Sequence, residues 1–393
     1  MKTKLCKQDH ENNTEPEEKR VAITLPEALI PADPRFGCGP SLIQLDDLTQ
    51  LKDKGPHLLG TSHRKEPVRA LCREIQQGLR DYLSVPDDYS IVLGNGGATA
   101  LFDMVGLGLV RKRIVHHTCG EFSDKWFKAS RRIPWIQADS VAVGYGQANT
   151  AFVTEGADVV ACTLNETSTG VMNTRLPEVG EDCLLAVDAT SGAGQIACDL
   201  SRVDVFFFSP QKVFASEGGL FVAILSPKAK ARIAEIAADP SRYIPAFADW
   251  RLALSNSEQQ QTYNTPAVVT LFLFAEQVKR MNALGFAEVE RQAAAKAALL
   301  YQWAADRDYL SAYVTEPAFR STTVAAIDVA DTISVDKLTR YLDEQGLAHG
   351  IEGYRALGRN QLRIALFHNI AFDDLKTLTA LIDFLVASGE FAA

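Results

Sequence analysis

Apolar and polar positions along the chain follow two rhythms. Short apolar runs of strand length recur at 89–93, 113–117, 158–164, 184–187, 203–208 and 220–225. The spacing of Val68, Leu71, Cys72, Ile75, Leu79 and Tyr82 is that of one helix face, with Pro67 at its start. Strands alternating with helices imply an α/β fold with a mostly parallel sheet covered on both faces. Pro266 suits the first turn of a further helix capped by Thr265. After an alanine-rich helix at about 286–306 the pattern becomes strand (323–329), helix (334–345), strand (362–367) and helix (373–387). This predicts a large α/β domain over 31–275 and a smaller C-terminal α+β domain over 276–393. Residues 1–20 are polar and charge-dense, and 21–40 are punctuated by proline. Residues 1–30 therefore read as a disordered extension.

Composition narrows the function classes. The chain has 393 residues, 47% of them hydrophobic and 23% charged, with a net charge of −9. That is a soluble globular composition, long enough for two domains. No basic stripe suggests nucleic acid, and no apolar run suggests a membrane span. The 7 cysteines are scattered without a CxxC pair. This argues against a disulfide framework or a metal site and fits a reducing cytoplasm.

The candidate chemistry lies where the strands end. Lys212 follows the run Val203–Phe208, and a lysine held at the mouth of an apolar sheet has its charged form disfavoured. Such an amine can form a Schiff base with an aldehyde. Asp188 ends the strand LLAV, where a buried carboxylate needs a cation: an arginine, a metal or a protonated ring nitrogen. The glycine-rich turn GNGGATA at 94–100 joins a strand to a helix, an arrangement that binds phosphate through free N–H groups. It lacks the Gly-Lys-Ser/Thr of a P-loop. Thr99 stands where a dinucleotide fingerprint has glycine or alanine. A single phosphate suits it better, held at Ala98 and Thr99. Phe122 lies past the next strand, where it could stack on a flat ring. Asn165, Glu166, Thr167 and Ser168 give polar groups at another strand end. His63 and Arg64 form a candidate anion clamp, as do Arg355, Arg359 and Arg363 further on. Together these features describe a site for pyridoxal phosphate.

The motifs RFGCGPS, GTSHR, LGNGGATA, GEFS, NETSTGV, DATSGAG, SPQK, QTYNTPA and YRALGRNQLR occur in order from about residue 33 to the end. In them the chain resembles the phosphoserine aminotransferases, fold-type I pyridoxal-phosphate enzymes of class V, in their actinobacterial form. The resemblance implies a cytoplasmic homodimer that moves an amino group between L-glutamate and 3-phosphohydroxypyruvate, giving O-phospho-L-serine and 2-oxoglutarate. It extends in some members to the four-carbon analogue of pyridoxine synthesis.

The resemblance also implies residue roles. Lys212 binds the cofactor aldehyde and shuttles the proton. Asp188 pairs with the pyridine nitrogen, Phe122 stacks on the ring, and Thr167 bonds the phenolic oxygen. Ala98, Thr99 and Gln211 hold the phosphate, joined by Asn264 and Thr265 from the neighbouring subunit. Arg64 and Arg363 bind substrate, Arg363 at the α-carboxylate, while His63 and Arg359 face the distal anion. Many family members carry arginine where Ala98 stands, so the distal-anion pocket must be built from other residues. Two alternatives stay open: another fold-type I reaction such as an alanine– or serine–glyoxylate transamination, and a protein that binds the cofactor without turnover.

Overall fold

The computed structural model describes residues 23–393, so the polar lead over 1–20 lies outside the described residues. Of the extension expected over 1–30, residues 23–30 are described and the rest lie outside the described residues. Ile23, Leu25 and Leu29 pack against the main core, and Glu27–Leu29 form a 3-10 turn.

Two helices, α1 (Leu45–Lys54) and α2 (Glu66–Tyr82), precede the first strand, β1 (Ser90–Asn95). Then come α3 (Gly97–Leu109), β2 (Arg113–Thr118), α4 (Glu121–Ser130), β3 (Gln137–Ala142) and β4 (Val159–Thr163). A small hairpin, β5 (Asn165–Glu166) and β6 (Val171–Met172), leads to β7 (Leu184–Asp188), β8 (Val205–Phe208) and β9 (Leu220–Leu225). The main sheet has 7 strands in the order β1-β9-β8-β7-β4-β2-β3. Only β9 runs against its neighbours; the other pairings are parallel. The fold class read from the sequence is therefore the one observed.

Residues alternate between the two faces of the sheet, as the strand period requires. Phe206, Phe208, Val222 and Ile224 join the larger core, while Val205, Phe207, Phe221 and Ala223 join the core under α3 and α4. The face of α2 read from the sequence is the buried one: Val68, Leu71, Cys72, Ile75, Leu79 and Tyr82. Predicted strand ends shift by a few residues. The run from Val203 begins its strand at Val205, because Val203 closes a 3-10 turn over Leu200–Arg202.

After α5 (Pro227–Ala237) and α6 (Trp250–Glu258), α7 (Val268–Leu284) carries the chain across the expected boundary at 275/276. The helix predicted to start at Pro266 starts at Val268 instead. Asn95 Nδ2 donates to the carbonyls of Asn264 and Thr265, at 3.2 and 3.1 Å. The Thr265 carbonyl would otherwise accept the first helical bond. The smaller domain holds α8 (Phe286–Ala305), β10 (Leu310–Ala312), β11 (Val324–Val329), α9 (Val335–Glu344), β12 (Gln361–Ala365) and α10 (Phe372–Ala387). Its sheet is antiparallel, in the order β10-β11-β12. The segment around Phe36 is tied to this domain: Phe36 N donates to His349 O at 3.1 Å, and Ala365 N to Phe36 O at 3.0 Å.

Candidate active site

In this topology β1, β2, β4, β7 and β8 all end at one edge of the sheet. Open α/β sheets place ligands there. A cavity of about 720 Å³ opens at that edge. Seven of the residues expected at the site line it: Ala98, Thr99, Phe122, Thr167, Asp188, Gln211 and Lys212. They sit at or just after the ends of β1, β2, β5, β7 and β8, which is why residues far apart in sequence converge.

Lys212 is buried, with its amine donating to Cys38 O at 2.7 Å. Burial pulls its pKa below the usual lysine value, and Arg363 adds to the effect. A Cβ on Gly39 would lie 1.9 Å from Nζ, so only glycine leaves room for this amine. Asp188 is buried at the end of β7, and burial raises its carboxyl to about 6 despite hydrogen bonds from Thr190. Thr190 N and Oγ1 both donate to Oδ1, at 2.9 and 2.5 Å, which leaves Oδ2 for a donor in the cavity. A cationic ring nitrogen would meet that need and favour the ionised carboxylate.

The turn after β1 has the geometry of an anion nest. Gly96 and Gly97 adopt φ values of +117° and +67°, in the left-handed region that glycine enters freely. They start α3, so the N–H groups of Ala98 and Thr99 are free of helical partners. Gln211 lines the same cavity, and its side-chain amide carries N–H donors that an anion can use. Phe122 stands in the first turn of α4, positioned by Glu166. The fully buried Glu166 carboxylate accepts from Phe122 N at 3.2 Å and Ser123 N at 3.0 Å. Ser168 Oγ donates to the same carboxylate at 2.7 Å. Thr167 Oγ1 donates to Ser191 Oγ at 2.8 Å, so its hydroxyl is engaged by a neighbour.

The other expected residues lie outside the cavity lining. Arg363 on β12 places its guanidinium 5.1 Å from the Tyr354 ring centroid, with Nε buried and unpartnered. Its charge is felt at Lys212. Arg359, expected as a distal-anion ligand, lies outside the cavity lining and is paired with Asp328. Asp328 holds its fork at 3.0 and 2.6 Å, and its guanidinium lies 4.6 Å from the Tyr313 ring centroid. A carboxylate already in bidentate contact leaves little for a substrate anion. His63, Arg64, Asn264 and Thr265 come together elsewhere. His63 Nδ1 lies 3.4 Å from Thr265 Oγ1, its Nε2 is buried without a partner, and the other three residues are exposed.

Several contributors were not singled out from the sequence: Thr190, Ser191 and Tyr354 were not named, and Glu166 entered only as one of a polar cluster at a strand end. The cofactor implied by the sequence fits what is present: a desolvated amine, a buried carboxylate with one oxygen to spare, a two-glycine nest and an aromatic ring share one cavity.

The chain matches the family model for class-V aminotransferases over residues 50–354. It is 45% identical over 370 residues to the phosphoserine aminotransferase of Nocardioides sp., covering 93% of this chain and 98% of that one. It is also 45% identical over 370 residues to the phosphoserine aminotransferase of Corynebacterium glutamicum, with the same coverage. Among solved structures, the phosphoserine aminotransferase of Cytophaga hutchinsonii superimposes with a TM-score of 0.82. At 23% identity, over 90% of this chain and 98% of that one, it shares the fold. The chain thus belongs to the class-V aminotransferases, in the phosphoserine aminotransferase family.

Proposed function

We infer that the protein transfers the amino group of L-glutamate to 3-phosphohydroxypyruvate, giving O-phospho-L-serine and 2-oxoglutarate, the transamination of serine biosynthesis. It is a pyridoxal-phosphate-dependent transaminase. The observation that carries the reading is Lys212 and Asp188 buried in one cavity with the glycine nest between β1 and α3. A protein that only bound the cofactor would not need a desolvated, proton-accepting amine there.

When bound, the cofactor supplies an electrophilic carbonyl and an electron sink for the charge left at the substrate's α carbon. The residues do the rest. Lys212 Nζ, whose charged form burial disfavours, takes the proton from the α carbon. The Asp188 carboxylate holds the proton on the ring nitrogen. Phe122 fixes the plane of the ring, and the N–H groups of Ala98 and Thr99, with Gln211, hold the phosphate. Thr167 reaches the phenolic oxygen by turning its hydroxyl from Ser191. Arg363 takes the α-carboxylate through its unpartnered Nε.

We assign the group of His63, Arg64, Asn264 and Thr265 to the active site of a second copy of this chain. Two observations support a homodimer through this face. These residues are gathered together yet stand outside the cavity lining of their own chain. Leu45, Leu48, Leu59, Tyr263 and Val269, on α1, α7 and the flanking loops, are exposed apolar residues that a partner would cover. The six described cysteines are free, in keeping with a cytoplasmic location, and no helix among the described residues is long and apolar enough to cross a membrane. The phosphorylated four-carbon keto acid of pyridoxine synthesis carries the same two anions, so the same contacts would accept it.

The test is turnover. Purified enzyme converts glutamate and 3-phosphohydroxypyruvate, and Lys212→Ala lowers kcat by roughly 1,000-fold or more. Turnover of Lys212→Ala at the native rate would overturn the mechanism. Preference for glyoxylate over the phosphorylated keto acid would overturn the substrate assignment.

A further inference from the structure

The distal anion of the substrate needs a cation that Ala98 does not supply and Arg359, held by Asp328, does not offer. Of the cations besides Lys212 that line the cavity, Lys125 is the one placed against the ring of Phe122. Lys125 lies one turn after Phe122 on α4 and lines the cavity. Its amine is 4.9 Å from the centroid of the Phe122 ring and 5.3 Å from that of Tyr354, and it donates to the Tyr354 hydroxyl at 2.6 Å. No carboxylate pairs with it among the described residues. Arg363 stands 5.1 Å from the centroid of the same Tyr354 ring. Two cations without carboxylate partners therefore converge on one phenol, beside the ring that stacks on the cofactor.

We propose that Lys125, oriented by Tyr354, is the same-subunit ligand for the substrate's distal phosphate. This deepens the reading given under Proposed function and rests on it. Arg363 and Lys125 divide the substrate between them: the planar fork takes the planar carboxylate, and the compact ammonium meets the tetrahedral phosphate. Lys128 on α4 and Arg132 just beyond its end also line the cavity, but it is Lys125 that stands over the rings of Phe122 and Tyr354. The aromatic rings hold the Lys125 amine at the mouth, where it stays solvated until substrate arrives. A phosphate carries nearly twice the charge of a carboxylate at neutral pH, so this lysine favours the phosphorylated substrate over glutamate.

A structural cross-tie between α4 and the smaller domain is the competing account, and it makes different predictions. The test is the dissociation constant of O-phospho-L-serine, read by absorbance titration of cofactor-loaded enzyme, with kcat and KM measured in parallel. Lys125→Met is expected to raise that constant at least tenfold, with most of the loss in KM and less in kcat. Its preference for O-phospho-L-serine over glutamate falls by a similar factor. Lys125→Arg keeps the charge and restores most of the affinity. Tyr354→Phe cuts the hydrogen bond and keeps the charge, and shifts the constant less than threefold. Equal losses in Lys125→Met and Tyr354→Phe would show a cross-tie and overturn the proposal, as would a loaded Lys125→Met enzyme that binds O-phospho-L-serine like wild type. Wild-type enzyme that does not respond to O-phospho-L-serine at all would instead overturn the substrate assignment, and the role of Lys125 with it.

Discussion

Asp188 sits where a carboxylate is least welcome, inside the sheet at the end of β7 with a single neighbour, Thr190, to satisfy it. Its pKa of about 6, against 3.8 for an ordinary aspartate, sets a stability cost with a definite sign. Between those two values the folded protein holds a proton that the unfolded chain has lost. Stability without cofactor therefore falls as pH rises through this window, by up to about 3 kcal/mol at about 1.4 kcal/mol per unit. Above pH 6 the cost is fully present. In cofactor-free protein, Asp188→Asn should melt at a higher temperature than wild type at pH 8, and the gap should close as pH falls towards 4. An equal gap at both pH values would contradict this. In loaded enzyme the same change removes the charge that keeps the ring nitrogen protonated, and kcat falls by roughly 100-fold or more. Asp188 was legible in sequence because an acid directly after four buried apolar residues has few innocent explanations. The ion pair of Arg359 was not legible, for the converse reason. An arginine on a loop looks available, and its partner Asp328 lies 31 positions away on β11, where no local pattern reveals it.

Among the elements, α4 has the most to position and the least of its own to do it with. Its first turn carries Phe122 and, one turn on, Lys125. The orphan N–H groups of Phe122 and Ser123 are satisfied by Glu166 and that of Glu121 by Ser168, both from the β5–β6 hairpin, while Ser123 Oγ accepts from Gly120 N. A buried carboxylate at a helix N-terminus is favoured by both the hydrogen bonds and the helix dipole. Glu166→Ala should destabilise the fold by about 1–3 kcal/mol in chemical unfolding and weaken cofactor binding by misplacing Phe122. Unchanged affinity for pyridoxal phosphate in a folded Glu166→Ala protein would count against this positioning role. Strands and helices were readable where their period was pure, as in α2, whose six periodic residues are the six it buries. They were less readable at ends set by contacts from afar. The start of α7 moved because Asn95, from another element, took the carbonyls that a helix beginning at Pro266 would use. The role of Glu166 was invisible for the same reason: the helix it caps lies 44 residues earlier in the chain.

At the scale of the molecule, one cavity edge receives five strand ends, and one exposed face receives His63, Arg64, Asn264 and Thr265. If that face completes a second copy's site, each active site needs both subunits. Two variants that are each inactive for different reasons should then rescue one another. Mixing Lys212→Ala subunits with a His63→Ala/Arg64→Ala double variant should form some dimers in which one site has all its residues, recovering up to about a quarter of wild-type activity by random pairing. No recovery from verified mixed dimers would place those residues in their own subunit's site.

The central claim, that one buried amine serves both halves of an amino transfer to a phosphorylated keto acid, has a direct optical test. The loaded enzyme is observed in the visible range while L-glutamate and then 3-phosphohydroxypyruvate are added. The account predicts that glutamate abolishes the visible band of the protein-bound aldehyde cofactor and that the phosphorylated keto acid restores it. A band that glutamate leaves unchanged, or that returns only with glyoxylate or pyruvate, would contradict it.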